Sequence, residues 1–204
     1  MILFILALKV TRNDALVSRM AAIMAIIVGV SSTYASVEAN TGPERTGWMV
    51  NFEPTEPPIP APSQMFTNVD GRRFTLNDFR GKVVLLNFWA TWCGPCIREM
   101  PSLEGLQNKL GVSDFLVIAL SEDRKGWEKI SPFRERLGLD ALPLYHDTDS
   151  QMMFASKVRS LPTSILINHE GIELGRLTGP AEWNSDEALA LIRHYIGRGL
   201  TTRR

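Results

Sequence analysis

The apolar positions of this chain change period as one reads along it, and each change marks an element. Lys82 to Trp89, with the apolar run Val83-Val84-Leu85-Leu86 leading into Asn87-Phe88-Trp89, reads as a central strand. Past Cys96 the spacing turns helical, with Met100, Leu103, Leu106 and Leu110 near one face, so a helix is predicted to about Leu110. Pro101 interrupts that pattern and predicts a kink. Phe115–Leu120 reads as a second buried strand. Lys125–Leu137 reads as a helix with Trp127, Ile130, Phe133 and Leu137 on one face, and Gln151–Lys157 as a short one. Met65–Thr67 and Phe74–Leu76 are short strands around the turn Asp70-Gly71. Thr163–Ile167 and Glu173–Thr178 form a hairpin around Glu170-Gly171. Asp186–Gly197 closes the pattern as a helix capped by Ser185 or Asn184. Strand, helix, strand, helix, hairpin and helix make an α/β fold with a mixed central sheet flanked by helices.

The ends of the chain read differently. Met20 to Val30 is a short apolar run behind Lys9, Arg12 and Arg19, followed by small residues around Ala35. That is the layout of a secretory signal or of an uncleaved anchor. Thr33-Tyr34-Ala35 is a mediocre cleavage signal, so residues 1–35 are expected to tether the chain, with the arginines on the cytoplasmic side and the rest of the protein outside. Residues 36–62 hold Glu53-Pro54-Thr55-Glu56-Pro57-Pro58-Ile59-Pro60-Ala61-Pro62, a composition that predicts an extended, exposed linker. Residues 63–200 remain for one compact domain with a sizeable core.

Composition narrows the function classes. Lys plus Arg and Asp plus Glu both number 22, so the formal charge is zero, and removing Lys9, Arg12, Arg19 and Asp14 with the leader leaves the remainder near neutral. A balance of that kind gives no electrostatic footprint for nucleic acid. The two cysteines of the chain fall within Trp92-Cys93-Gly94-Pro95-Cys96, where the central strand hands over to a helix. Two thiols two residues apart can close and reopen a small disulfide ring, the chemistry of a dithiol oxidoreductase. The unpaired N–H groups and dipole of a helix start favour a thiolate, which singles out Cys93 as the accessible attacking sulfur and Cys96, one turn further in, as the resolving one. Gly94 permits a tight turn, and Pro95 suits a first helical turn, where its missing N–H costs nothing. A ring this small would be a poor structural staple. A metal site would need more ligands than His146, His169 and His194 supply near the pair, so neither metal nor cofactor is expected. Glu99 stands one turn beyond Cys96. From spacing alone it is either a proton acceptor for that thiol or a solvated helix-face carboxylate. Glu122-Asp123, after the second buried strand, are either loop residues with a function or the start of a helix.

The run from Val83 to Cys96, with Arg98-Glu99-Met100-Pro101, resembles the thioredoxin superfamily and more narrowly its extracytoplasmic TlpA/ResA-like branch. Val158-Arg159-Ser160-Leu161-Pro162-Thr163-Ser164 is similar to the family's cis-proline loop, and Leu177-Thr178-Gly179-Pro180-Ala181-Glu182-Trp183 to the tail of TlpA. The resemblance spans about Ser63 to Gly197 and implies a thioredoxin-like fold. It also implies a thiol–disulfide oxidoreductase in which Cys93 and Cys96 exchange, Glu99 handles protons, and Trp92, Gly94 and Pro95 support the pair. Pro162 would be cis, and Leu161 would pair with an extended partner segment. Asn87 occupies the place of thioredoxin's buried acid and cannot ionise. The peroxiredoxin pattern and the CxxxC of copper chaperones are both absent, although a non-catalytic metal-handling or scaffold role stands as the alternative. The implied partners are disulfide-bearing proteins, for instance in cytochrome c or cytochrome oxidase assembly, and a membrane electron donor. The implied location is periplasmic or otherwise extracytoplasmic.

Overall fold

The computed structural model describes residues 43–111 and 113–201, with side chains as far as 197. The expected leader, residues 1–35, and the first part of the expected linker lie outside the described residues. Among the described residues no helix is long and apolar enough to cross a membrane.

Eight strands of the described residues form one mixed sheet. In chain order they are Phe52–Pro60 (β1), Phe66–Thr67 (β2), Arg73–Phe74 (β3), Val83–Trp89 (β4), Phe115–Ser121 (β5), Leu144–His146 (β6), Thr163–Ile167 (β7) and Ile172–Thr178 (β8). Across the sheet the order is β1-β8-β7-β4-β5-β6-β2-β3. The helices are Gly94–Leu110 (α1), Trp127–Leu137 (α2), Gln151–Ala155 (α3) and Asp186–Thr201 (α4). β4 lies parallel to β5 and antiparallel to β7, so the strand that leads into the cysteines is bonded on both sides along its length.

The apolar character of β4 has a direct cause. Every residue from Val83 to Trp89 is buried, because the sheet is covered on both faces. Val83, Leu85 and Trp89 belong to one core with Met100, Leu103 and Leu106 of α1, Ile130 and Phe133 of α2, and Leu189 and Ile192 of α4. Val84, Leu86 and Phe88, in the other phase, join Ile118, Leu120, Met152 and Ile165 in a second core. Asn87 shares the phase of Leu85 and Trp89, the α1 side, and that placement puts an amide in the first core. α1 runs on through Pro101 to Leu110. At the start of α4 the Ser185 hydroxyl accepts from the Ala188 N–H, which settles the cap in favour of Ser185.

The stretch read as a linker departs from expectation. Phe52–Pro60 is an edge strand, antiparallel to β8, with Phe52 opposite Leu177 and Pro60 opposite Ile172 and a register shift between Pro54 and Ile59. Proline is compatible with an edge, where one side of the strand needs no donors. Phe52 is buried, and the Thr55 hydroxyl donates to Glu173 Oε1 at 2.6 Å. Gly175 on β8 permits the approach: a Cβ there would stand 2.6 Å from the Glu53 carbonyl and from the Phe52 ring. β6, three residues long, also escaped the sequence reading. Pairing with β5 and the Tyr145 ring packed edge-on to Phe66 at 5.1 Å hold it in place.

Candidate active site

β4 ends at Trp89, and the next turn is fixed from the neighbouring strand. Asp123, just past β5, accepts from the Thr91 N–H at 2.9 Å through Oδ2 and from the Thr91 hydroxyl at 2.6 Å through Oδ1. The Ser121 hydroxyl donates to the same carboxylate at 2.8 Å and accepts from the Asp123 N–H at 3.1 Å. This clamp holds the loop carrying Trp92 and Cys93.

Cys93 is the N-cap of α1. Its Sγ accepts from the Cys96 N–H at 3.3 Å, and Pro95 sits in the first turn. Cys93 and Cys96 are joined as a disulfide, with sulfurs 2.03 Å apart. Cys96 is fully buried. Cys93 exposes 6% of its surface, more than its partner but well short of the open sulfur expected from sequence. Cys93 lines a cleft of about 580 Å³ together with Trp92, Pro95, Glu122, Met153, Phe154 and Leu161. Trp92 is 70% exposed and Phe154 73%, two apolar side chains held open at the rim. The Leu161–Pro162 peptide bond is cis. Leu161 faces the cleft, and Pro162 is buried beside it with its carbonyl accepting from the Gly179 N–H at 2.9 Å.

Glu99 is buried, 3% exposed, and not on a solvated helix face. Its Oε1 accepts from Asn87 Nδ2 at 2.8 Å, and its Oε2 accepts from the Ala181 N–H at 3.1 Å. Burial raises its pKa to about 7. The Asn87 and Ala181 hydrogen bonds oppose the rise, as does, more weakly, the Trp183 indole, which is too poorly placed for a sound hydrogen bond. Asn87 also donates to Ser164 Oγ at 3.0 Å, tying the site to β7. The block Gly179–Trp183 now has a structural purpose. Ala181 binds the carboxylate, and the Trp183 N–H donates to Ser102 Oγ at 3.0 Å, itself bonded to the Glu99 carbonyl at 2.7 Å.

A second carboxyl group lines the cleft. Burial raises the pKa of Glu122 to about 8, with Asp147 and then Asp123 adding repulsion while Ser150 opposes. Neither Glu122 oxygen makes a well-formed hydrogen bond. Asp147 is raised by burial too, against the pull of the Met152 and Met153 N–H groups that it accepts at 3.0 and 2.8 Å. Those bonds anchor the start of α3, which carries Met153 and Phe154 to the cleft.

The model of the AhpC/TSA family matches residues 59–172, more than half of the chain. The chain belongs to that family. ResA, a thiol–disulfide oxidoreductase of Geobacillus kaustophilus, is 34% identical over 171 residues, which cover 82% of this chain and 90% of ResA. The Geobacillus thermodenitrificans ResA is 40% identical over 122 residues, covering 58% and 67%. A Chlorobium tepidum structure described as a thiol:disulfide interchange protein DsbE superposes with a TM-score of 0.62 at 28% identity, over 68% of this chain and 96% of that one. The fold is thioredoxin-like, and the protein is a thiol–disulfide oxidoreductase.

Of the residues singled out from sequence, Trp92, Cys93, Pro95 and Leu161 meet at one cleft. Gly94 opens α1, and Cys96 and Glu99 lie on the buried side of that helix. Sequence reasoning left Asp123 undecided and did not find Arg124, Met153 or Phe154, which come from segments far apart in the chain. The one available signal was the pair Glu122-Asp123 at a strand end.

Proposed function

We propose that Cys93 and Cys96 form the reaction centre and that the chain reduces disulfides of other proteins. The Cys93 thiolate attacks one sulfur of the partner's disulfide. The partner's other sulfur leaves and takes up a proton, and a mixed disulfide remains on Cys93. Glu99 accepts the proton of Cys96, and the Cys96 sulfur then attacks Cys93 Sγ. The second partner sulfur leaves as a thiolate and is protonated, and the Cys93–Cys96 disulfide closes. Two electrons have passed from the dithiol to the partner. Leu161 and Pro162 help dock the partner, while Trp92, Gly94 and Pro95 shape the pair.

The observation that carries this reading is the placement of the cysteine pair: one sulfur at a helix start on the wall of a cleft, the other fully buried one helical turn before Glu99, a buried carboxyl group whose pKa is raised to about 7. The basic and apolar leader and the ResA relatives support an extracytoplasmic setting, with residues 1–35 as tether and a membrane protein as electron donor. Partners in cytochrome c or cytochrome oxidase assembly fit the same setting. A Cys96→Ser variant should accumulate mixed disulfides that gel electrophoresis resolves before and after reductant, and Cys93→Ser should form none. Equal trapping by both variants, or turnover of insulin disulfides by Cys93→Ser, refutes the assignment.

A further inference from the structure

The cleft beside Cys93 carries more than apolar walls. Arg124, from the loop after β5, and Arg159, from the loop before Pro162, both line it. Both are exposed, and neither makes a hydrogen bond or ion pair with another described residue. Several other arginines of this domain are engaged by carbonyl or carboxylate oxygens. Arg80 bonds the Glu170 carbonyl, Arg134 the Leu139 carbonyl, and Arg176 clasps Glu173 through two nitrogens at 2.9 Å. Glu122 is the one carboxyl group that lines the cleft, and it does not answer the two guanidinium groups. It is buried and turned toward Asp147, and its raised pKa leaves it mostly neutral at pH 7. A protein with no formal net charge therefore presents a positive cleft, with Trp92 and Phe154 open at its rim.

We propose that this cleft selects disulfides held in extended acidic segments, in which an apolar residue beside the partner's cysteine packs on Trp92 and Phe154 and flanking carboxylates pair with Arg124 and Arg159. This rests on the dithiol reading above and adds to it the chemistry of the partner. Guanidinium groups suit the task because they stay charged at any working pH and match a carboxylate through two parallel hydrogen bonds. Pairs at a rim raise encounter rate and discrimination more than they raise tightness.

The test uses the full-length chain in its reduced form. Its substrates are synthetic peptides that share one intramolecular disulfide and one flanking Leu and differ at two flanking positions, which are Glu, Gln or Lys. Bis(2-hydroxyethyl) disulfide serves as an uncharged reference for each variant. Two exposed pairs give roughly fivefold higher kcat/KM for the Glu peptide than for the Gln peptide, and the Lys peptide is slower still. Raising the salt from about 0.02 to 0.5 M shrinks the preference. In Arg124→Gln/Arg159→Gln the Glu-to-Gln ratio falls to about one, and in Arg124→Glu/Arg159→Glu the Lys peptide becomes the preferred one. Equal rates on the three peptides, or a preference that survives both double variants, overturns the proposal and leaves the dithiol reading intact. Failure of the wild type to reduce the peptides and the reference disulfide alike overturns both.

Discussion

Replacing Glu99 with Gln isolates the cost of burying this carboxyl group. A raised acid pKa means that the folded protein holds a proton which the unfolded chain releases. Glu99 therefore costs nothing below pH 4.5, and the cost grows as pH climbs to about 7, where the folded group ionises too. The interval between 4.5 and about 7 corresponds to about 3 kcal/mol at pH 8. Glutamine keeps an oxygen for Asn87 but turns an amide NH₂ toward the Ala181 N–H, a donor-to-donor mismatch worth about 1–2 kcal/mol at every pH. The mismatch cancels when the same variant is measured at two pH values. Denaturant melts of the oxidised proteins at pH 4 and pH 8 should show Glu99→Gln gaining about 3 kcal/mol on the wild type between the two conditions. A gain below about 1 kcal/mol, or one of opposite sign, would show that the carboxylate is solvated or compensated and would remove the physical basis for the base role proposed for it near neutral pH.

Three other outcomes follow from the same geometry. Asp123→Ala leaves the Thr91 N–H and the hydroxyls of Thr91 and Ser121 without their acceptor and should cost about 3 kcal/mol in a urea melt, with Asp123→Asn recovering about half. Gly175→Ala should push β1 off β8 at a cost of about 2 kcal/mol and speed amide hydrogen exchange across residues 52–60, while exchange in β4 stays slow. Glu122→Gln should flatten the loss of stability as pH rises from 5 to 9, since it removes a carboxyl group whose pKa burial and the neighbouring Asp147 raise to about 8; an unchanged slope would contradict that raised pKa.

Much of the fold could be read from residue patterns, because the strongest periods sit where burial is most complete. The limits of β4, α1, α2, β7 and β8 came out within a residue or two, since those segments meet the core on a fixed face. β1 was missed for a physical reason: proline-rich sequence usually remains solvated, and what recruits this stretch is a partner strand more than 100 residues away with a glycine where the chains meet. The cysteine pair and Trp92 stood out from the motif, Glu99 stood out from spacing with its role undecided, and Leu161 entered only through the family resemblance. Whether Glu99 faced solvent was not legible, since its burial depends on Asn87 from β4 and on Ala181 from the segment before α4. The Glu122–Asp147 pair and the cleft wall formed by Met153 and Phe154 depend on the αL turn at Asp149 and Ser150, which no periodicity announces.

The sheet ends in β1 on one side and β3 on the other, and both ends are poor templates. Four of the nine residues of Phe52–Pro60 are proline, and β3 is two residues long. An incoming strand would find few free N–H groups on the first border and almost no length on the second. A thiol–disulfide oxidoreductase that meets other polypeptides again and again is thereby kept from zipping onto them along these two borders, and fibrous association finds no foothold there.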